Sequence, residues 1–130
     1  MARRSKTHVI DDPASRDHGR RFLLTEMDAY SGERWAIRAV LALAKSGAEM
    51  PADASTAGWA GLASVGMKAL TGLSFEDAEP LLAEMLRCVQ IQPDPARPEF
   101  VRALLPDDIE EIKTMLQLRM EVFKLHVSFS

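Results

Sequence analysis

The stretch "RFLLTEMDAYSGERWAIRAVLALAKSG", residues 21–47, contains the change of period that decides the fold. Phe22 and Leu24 fall on one side of an extended chain and Leu23 on the other, because successive strand side chains point to opposite faces. After Thr25 that alternation stops. Asp28 or Ser31 offers a short side-chain oxygen that can accept from an unpaired first-turn N–H, which starts a helix. Tyr30, Trp35, Ala36, Ala39, Val40, Leu43 and Ala44 then recur at helical spacing. Lys45 suits the negative end of that helix, and Gly47 can take the left-handed conformation that ends it. The stretch predicts a strand leading into a long helix, with Trp35 and Leu43 in the core. None of its side chains does chemistry, so it frames either a core or a binding surface.

On the N-terminal side, "THVI" (7–10) is a second β-prone run, separated from the first by the turn-forming "DDPASRDHGR". The two together predict a hairpin. Six of the sixteen basic residues (Arg3, Arg4, Lys6, Arg16, Arg20, Arg21) lie within residues 1–25, against three of the nineteen acidic ones. Residues 1–20 are therefore expected to form a basic, partly flexible arm. It has no aromatic side chains for base stacking, and the body it joins is acidic, so nucleic acid is not the expected partner. No apolar h-region is present, which argues against a secretory signal.

On the C-terminal side, "AGWAGLASVGMKALTG" (57–72) has a helical pattern in which Gly58, Gly61 and Gly66 each cost about 1 kcal/mol against alanine. "LSFEDAEPLLAEMLRCVQ" offers two helix starts. One at Ser74, with Asp77 as capping partner, leaves Pro80 in the interior; one at Asp77 puts Pro80 in the first turn, where its missing N–H costs nothing. The second start is preferred, giving a turn at 74–77 and a helix over 78–89 with Leu81, Leu82, Met85, Leu86 and Val89 on one face. Prolines 93, 95 and 98 break the pattern between "VQIQ" and "EFVRALL", which predicts a second hairpin or an extended excursion. A last helix is expected from Pro106 and Asp107 onward, with Ile109, Ile112, Leu116, Met120 and Phe123 as its core stripe. Met115, Leu118 and Val122 fall beside that stripe. They are the candidate partner-binding residues, and "QPDPARP" or the arm would be the next surfaces to consider.

These elements add up to a mainly helical α+β chain, about four helices with one or two short hairpins in a single domain of 130 residues. A net charge of −3 and no apolar run near the ~20 residues that span a bilayer leave no membrane role to expect. Catalysis is not expected either. His8, His18 and His126 are dispersed, Cys88 lies beside an apolar helix face and reads as an inert thiol, and no phosphate loop or nucleophile elbow occurs. No cofactor or metal is implied. What remains is a helix-rich scaffold with seven methionines, adaptable enough to bind apolar helical segments.

Three stretches together carry a family resemblance: "TEM" followed by "ERWAIRA", "DAEPLLAEM" leading to "QPDP", and "DDIEEI" leading to "LRMEVFKLH". Over roughly residues 20–129 the chain resembles the short tail assembly chaperones of long-tailed bacteriophages. The resemblance implies a helical chaperone domain over 21–130 and no enzymatic activity. It implies a protein that works in the host bacterial cytoplasm and is absent from the mature virion. The implied partner is the tape measure protein, kept soluble while tail-tube subunits polymerise around it; the tail tube protein and self-association are further contacts to consider. A short form, with a frameshifted longer one beside it, would suit the ending "HVSFS". The rival readings are a structural or connector tail protein, and a small nucleic-acid-binding adaptor.

Overall fold

The computed structural model describes residues 3–47 and 72–127. Within them the chain is α+β: three helices and a four-stranded antiparallel sheet. The helix expected over 57–72 lies outside the described residues. The chain divides into two compact units, one of Met1–Glu26 with Met85–Leu125, the other of Met27–Glu84 with His126–Ser130.

The first unit holds the whole sheet. Strands β1 (Ser5–Val9), β2 (Arg21–Thr25), β3 (Val89–Gln92) and β4 (Arg102–Ala103) run in the order β1-β2-β3-β4. The expected first hairpin is present, the proline-rich stretch takes the hairpin rather than the extended alternative, and β2 joins the two by pairing with β3. That central register sets Phe22 against Ile91 and Leu24 against Val89, so period two places four buried apolar side chains on one face. Leu23 and Gln90 share the other face and are half-buried.

Residues 3–20 are therefore not an arm. β1 is an edge strand of the sheet, and the connection to β2 folds back on itself. Gly19 takes φ +85° and donates its N–H to the Ile10 carbonyl, while Ile10 donates to Arg20. A side chain at Gly19 would strain this turn. Four of the cations counted as an arm are in ion pairs: Arg4 with Glu26, Lys6 with Glu121, Arg16 with Glu111 and Arg20 with Asp17.

After β4, a single 3-10 turn (Pro106–Asp108) precedes the last helix, α3 (Ile112–Val127), of which the part to Leu125 belongs to this unit. The helix starts later than its sequence predicts because Ile109 is extended, at φ −131° and ψ 121°. The N–H groups of Glu110 and Glu111 donate to the carboxylate of Asp17, at 2.8 and 3.0 Å, instead of entering a helix.

The second unit contains α1 (Ala29–Lys45) and the larger part of α2 (Phe75–Leu86). Asp28 caps α1 by accepting from the Ser31 N–H at 3.0 Å, and Gly47 leaves it at φ +87°. Trp35, Ala36, Ala39, Val40 and Leu43 are buried as their spacing predicts, whereas Tyr30 and Ala44 are exposed. The Trp35 indole N–H donates to the Leu81 carbonyl at 2.9 Å, so the ring is fixed by its polar atom as well as by packing.

α2 takes the start at Ser74 and not the one preferred from sequence. Ser74 caps it, its hydroxyl accepting from the Asp77 N–H at 3.3 Å, and Pro80 sits inside the helix. Pro80 removes the bond that would reach the carbonyl of Glu76, but both residues are exposed and water can take its place. The helix also ends earlier than expected, and Val89 opens β3 instead of closing the helix face.

Candidate functional site

α3 carries apolar residues on two sides, and the structure buries the side opposite to the expected one. Leu118 and Val122, expected at a partner surface, are 0% exposed. Ile112 and Leu116, expected in the core, are 80% and 61% exposed, and Met120 is exposed beside them. Of the predicted stripe, Phe123 is buried and Ile109 half-buried. Of the predicted binding residues, Met115 is half-buried and Leu118 and Val122 are core.

The reason lies in two polar residues. The buried stripe of α3 runs through Thr114, Leu118, Val122, Leu125 and His126, and hydropathy alone ranks a stripe with Thr and His below one made of Ile, Leu and Met. Both polar groups are satisfied where they lie. The Thr114 hydroxyl donates to Asp17 at 2.6 Å, and His126 Nε2 accepts from the Met27 N–H at 2.8 Å. A buried polar group with its partner in place no longer opposes burial of the apolar residues around it.

Asp17 is the residue that sequence reasoning missed. Fully buried, it accepts from the Glu110 and Glu111 N–H groups, the Thr114 hydroxyl and Arg20 Nη1. Burial pushes its carboxyl up, but the hydrogen bonds from Thr114, Glu110 and Glu111 and the charge of Arg20 outweigh that and hold it below the ordinary value. Its negative charge lies where the first turn of α3 leaves N–H groups unpaired. The same Arg20 donates to the Asp108 carbonyl at 2.6 Å. Arg102 grips the Asp108 carboxylate with two bonds, at 2.7 and 2.9 Å, and Asp108 accepts from the Leu105 N–H at 2.7 Å. The 3-10 turn and the start of α3 are thus both anchored by charged groups.

What they anchor is an apolar groove of about 470 Å³ in the first unit. Leu86, Leu104, Leu105, Pro106 and Ile109 line it together with Ile112 and Met115 from the first turn of α3. The two charged lining residues are both glutamates, Glu110 and Glu111. Leu105 and Ile112 are exposed at its edge, and Leu116 and Met120 continue the exposed row along α3. Covering one such side chain is worth roughly 1.5–3 kcal/mol, so this row is a ready source of affinity for an apolar partner.

Two further surfaces stand out. On α1, Tyr30, Ile37 and Leu41 are exposed at helical spacing, with Arg34 over the Tyr30 ring at 5.8 Å. In the first unit, a polar depression of about 400 Å³ is lined by His18, Arg20, Arg21, Gln92, Arg102 and Asp108 among others, but Arg20 and Arg102 are already committed to Asp17 and Asp108. Cys88 is buried, which pushes its thiol up to about 11. Among the described residues no three His, Cys, Asp or Glu side chains gather to hold a metal, and no helix is long and apolar enough to cross a membrane.

Comparison of the chain with protein-family models, with curated proteins and with solved structures finds no match.

Proposed function

We propose that this chain is a tail assembly chaperone of the long-tailed bacteriophage type, which binds the tape measure protein and keeps it soluble while the tail tube is built. The observation that carries the reading is the exposed row Leu105, Ile112, Leu116 and Met120 beside the groove. A long helix-rich partner presents repeated apolar stripes and aggregates unless they are covered. A helix laid along such a row meets it at every turn, the geometry of helix-in-groove recognition. The sequence resemblance over roughly residues 20–129 supplies the identity of the partner, and the net charge of −3 helps to keep the complex in solution.

The reading is tested by co-expressing the full chain with a tape measure protein of a long-tailed bacteriophage from the same source. The two should purify together, with the tape measure protein soluble only in the presence of the chaperone. Mass spectrometry of purified virions should detect the tape measure protein and not this chain. Stoichiometric presence in virions would instead make it a structural tail subunit.

A further inference from the structure

The two edges of the sheet differ in what they offer another chain. β4 is only two residues long, which leaves little backbone to pair with. β1 offers five residues, Ser5–Val9, in unbroken register with β2 and with no proline or bulge to interrupt it. Its even-numbered positions bond to β2, and the ladder continues past both ends: the Arg4 carbonyl accepts from the Glu26 N–H at 2.9 Å and the Ile10 N–H donates to the Arg20 carbonyl at 3.0 Å. Because an antiparallel ladder alternates, the N–H and C=O groups of Ser5, Thr7 and Val9 point away from the sheet, and all three residues are exposed. Lys6 does not guard this edge, since Glu121 on α3 holds its ammonium. An open edge of this kind is completed by an added antiparallel strand.

The strand is complementary to itself. Set against a second β1 about a two-fold axis at Thr7, Ser5 lies opposite Val9 and Thr7 opposite Thr7. Every outward backbone group then meets a partner, about six hydrogen bonds in all. The same register carries Arg3 onto Asp11 of the second copy. Both are exposed, neither makes an ion pair among the described residues, and the Cys88 thiol that feels the charge of Arg3 is itself uncharged. Lys6 comes opposite His8, with its charge already met by Glu121. Moving the axis to a neighbouring residue sets Lys6 against Lys6 or His8 against His8, and parts Arg3 from Asp11. We infer that β1 pairs in this two-fold register with β1 of a second copy of the chain, so that one sheet runs through both copies. The inference goes beyond the chaperone reading and does not rest on it, because the groove residues take no part in the pairing.

Sedimentation of the full chain should show a dimer that dissociates on dilution through the micromolar range. Thr7→Pro removes an outward donor that β2 does not use, and should give a monomer with unchanged circular dichroism. Asp11→Arg should weaken the dimer about tenfold at low salt, and adding Arg3→Asp to it should restore the wild-type affinity. On mild oxidation Thr7→Cys should cross-link to its own copy, whereas Ser5→Cys, placed opposite Val9, should not. A chain that stays monomeric at about 1 mM overturns the inference, and so does a dimer that survives Thr7→Pro in a folded protein. Should Thr7→Pro fail to fold, the charge reversal decides: a dimer of Asp11→Arg as tight as that of the wild type overturns the inference. A dimer that Leu116→Glu disperses and Thr7→Pro does not would place the second copy on the groove row and overturn it as well.

Discussion

Asp17 shows how one side chain far from an element can decide where that element begins. It sits 93 positions before Glu110, yet it accepts two backbone N–H groups and a hydroxyl at the start of α3. Asp17→Ala leaves those donors and Arg20 facing a void and should cost roughly 3–5 kcal/mol in urea denaturation. Asp17→Asn keeps one acceptor oxygen and should cost less, roughly 1–3 kcal/mol. The pH dependence has a fixed sign. A carboxylate held below its unfolded value near 3.9 contributes its full stability above that pH and loses it as pH falls through the lower folded value. Asp108 and Glu121, held down by Arg102 and Lys6, act in the same direction. Stability should therefore fall below about pH 4, and less steeply for Asp17→Asn than for the wild type. Trp35 is the opposite case, a residue whose role its sequence position shows plainly. Its spacing with Ala39 and Leu43 places it in the core, and Trp35→Ala should lower stability by roughly 3–5 kcal/mol, read as a large drop in melting temperature. The sequence shows that Trp35 is large and apolar, but not which distant donors an aspartate will meet.

At the scale of the element, α1 is legible because its signals agree: cap, stripe, last-turn lysine and terminal glycine all point the same way. α3 is not, because it has two usable apolar sides and only distant partners decide between them. The choice has a clear mutational signature. Ile112→Glu and Leu116→Glu place charge on exposed positions and should change stability by no more than about 0.5 kcal/mol. Leu118→Glu puts an unpaired carboxylate at a fully buried position and should unfold the protein, with circular dichroism and thermal melts as the readout. α2 misleads for a simpler reason: in sequence the cost of an interior proline looks larger than the benefit of the Ser74 cap. Pro80→Ala restores the bond to the Glu76 carbonyl at an exposed position and should raise stability by roughly 1–3 kcal/mol.

At the scale of the whole molecule, the uneven charge that suggested a basic arm disappears once the chain folds. Lys6 meets Glu121 and Arg16 meets Glu111, pairs separated by about a hundred residues that no local count reveals. Both hairpins are legible from alternation and prolines, but their union into one sheet depends on β2 pairing with β3 across more than sixty residues of chain. The candidate surface is legible only in kind. An apolar excess on the last helix is visible in the sequence, whereas the face it occupies and the groove beside it are consequences of Asp17, Thr114 and Arg102. The central claim, that this exposed face holds the tape measure protein in solution, is tested most directly by the soluble fraction of co-expressed tape measure protein. With the wild-type chain that fraction should be high. With the stably folded double variant of Ile112→Glu and Leu116→Glu it should fall to the level seen without any chaperone. A double variant that keeps the tape measure protein as soluble as the wild type does would contradict the account.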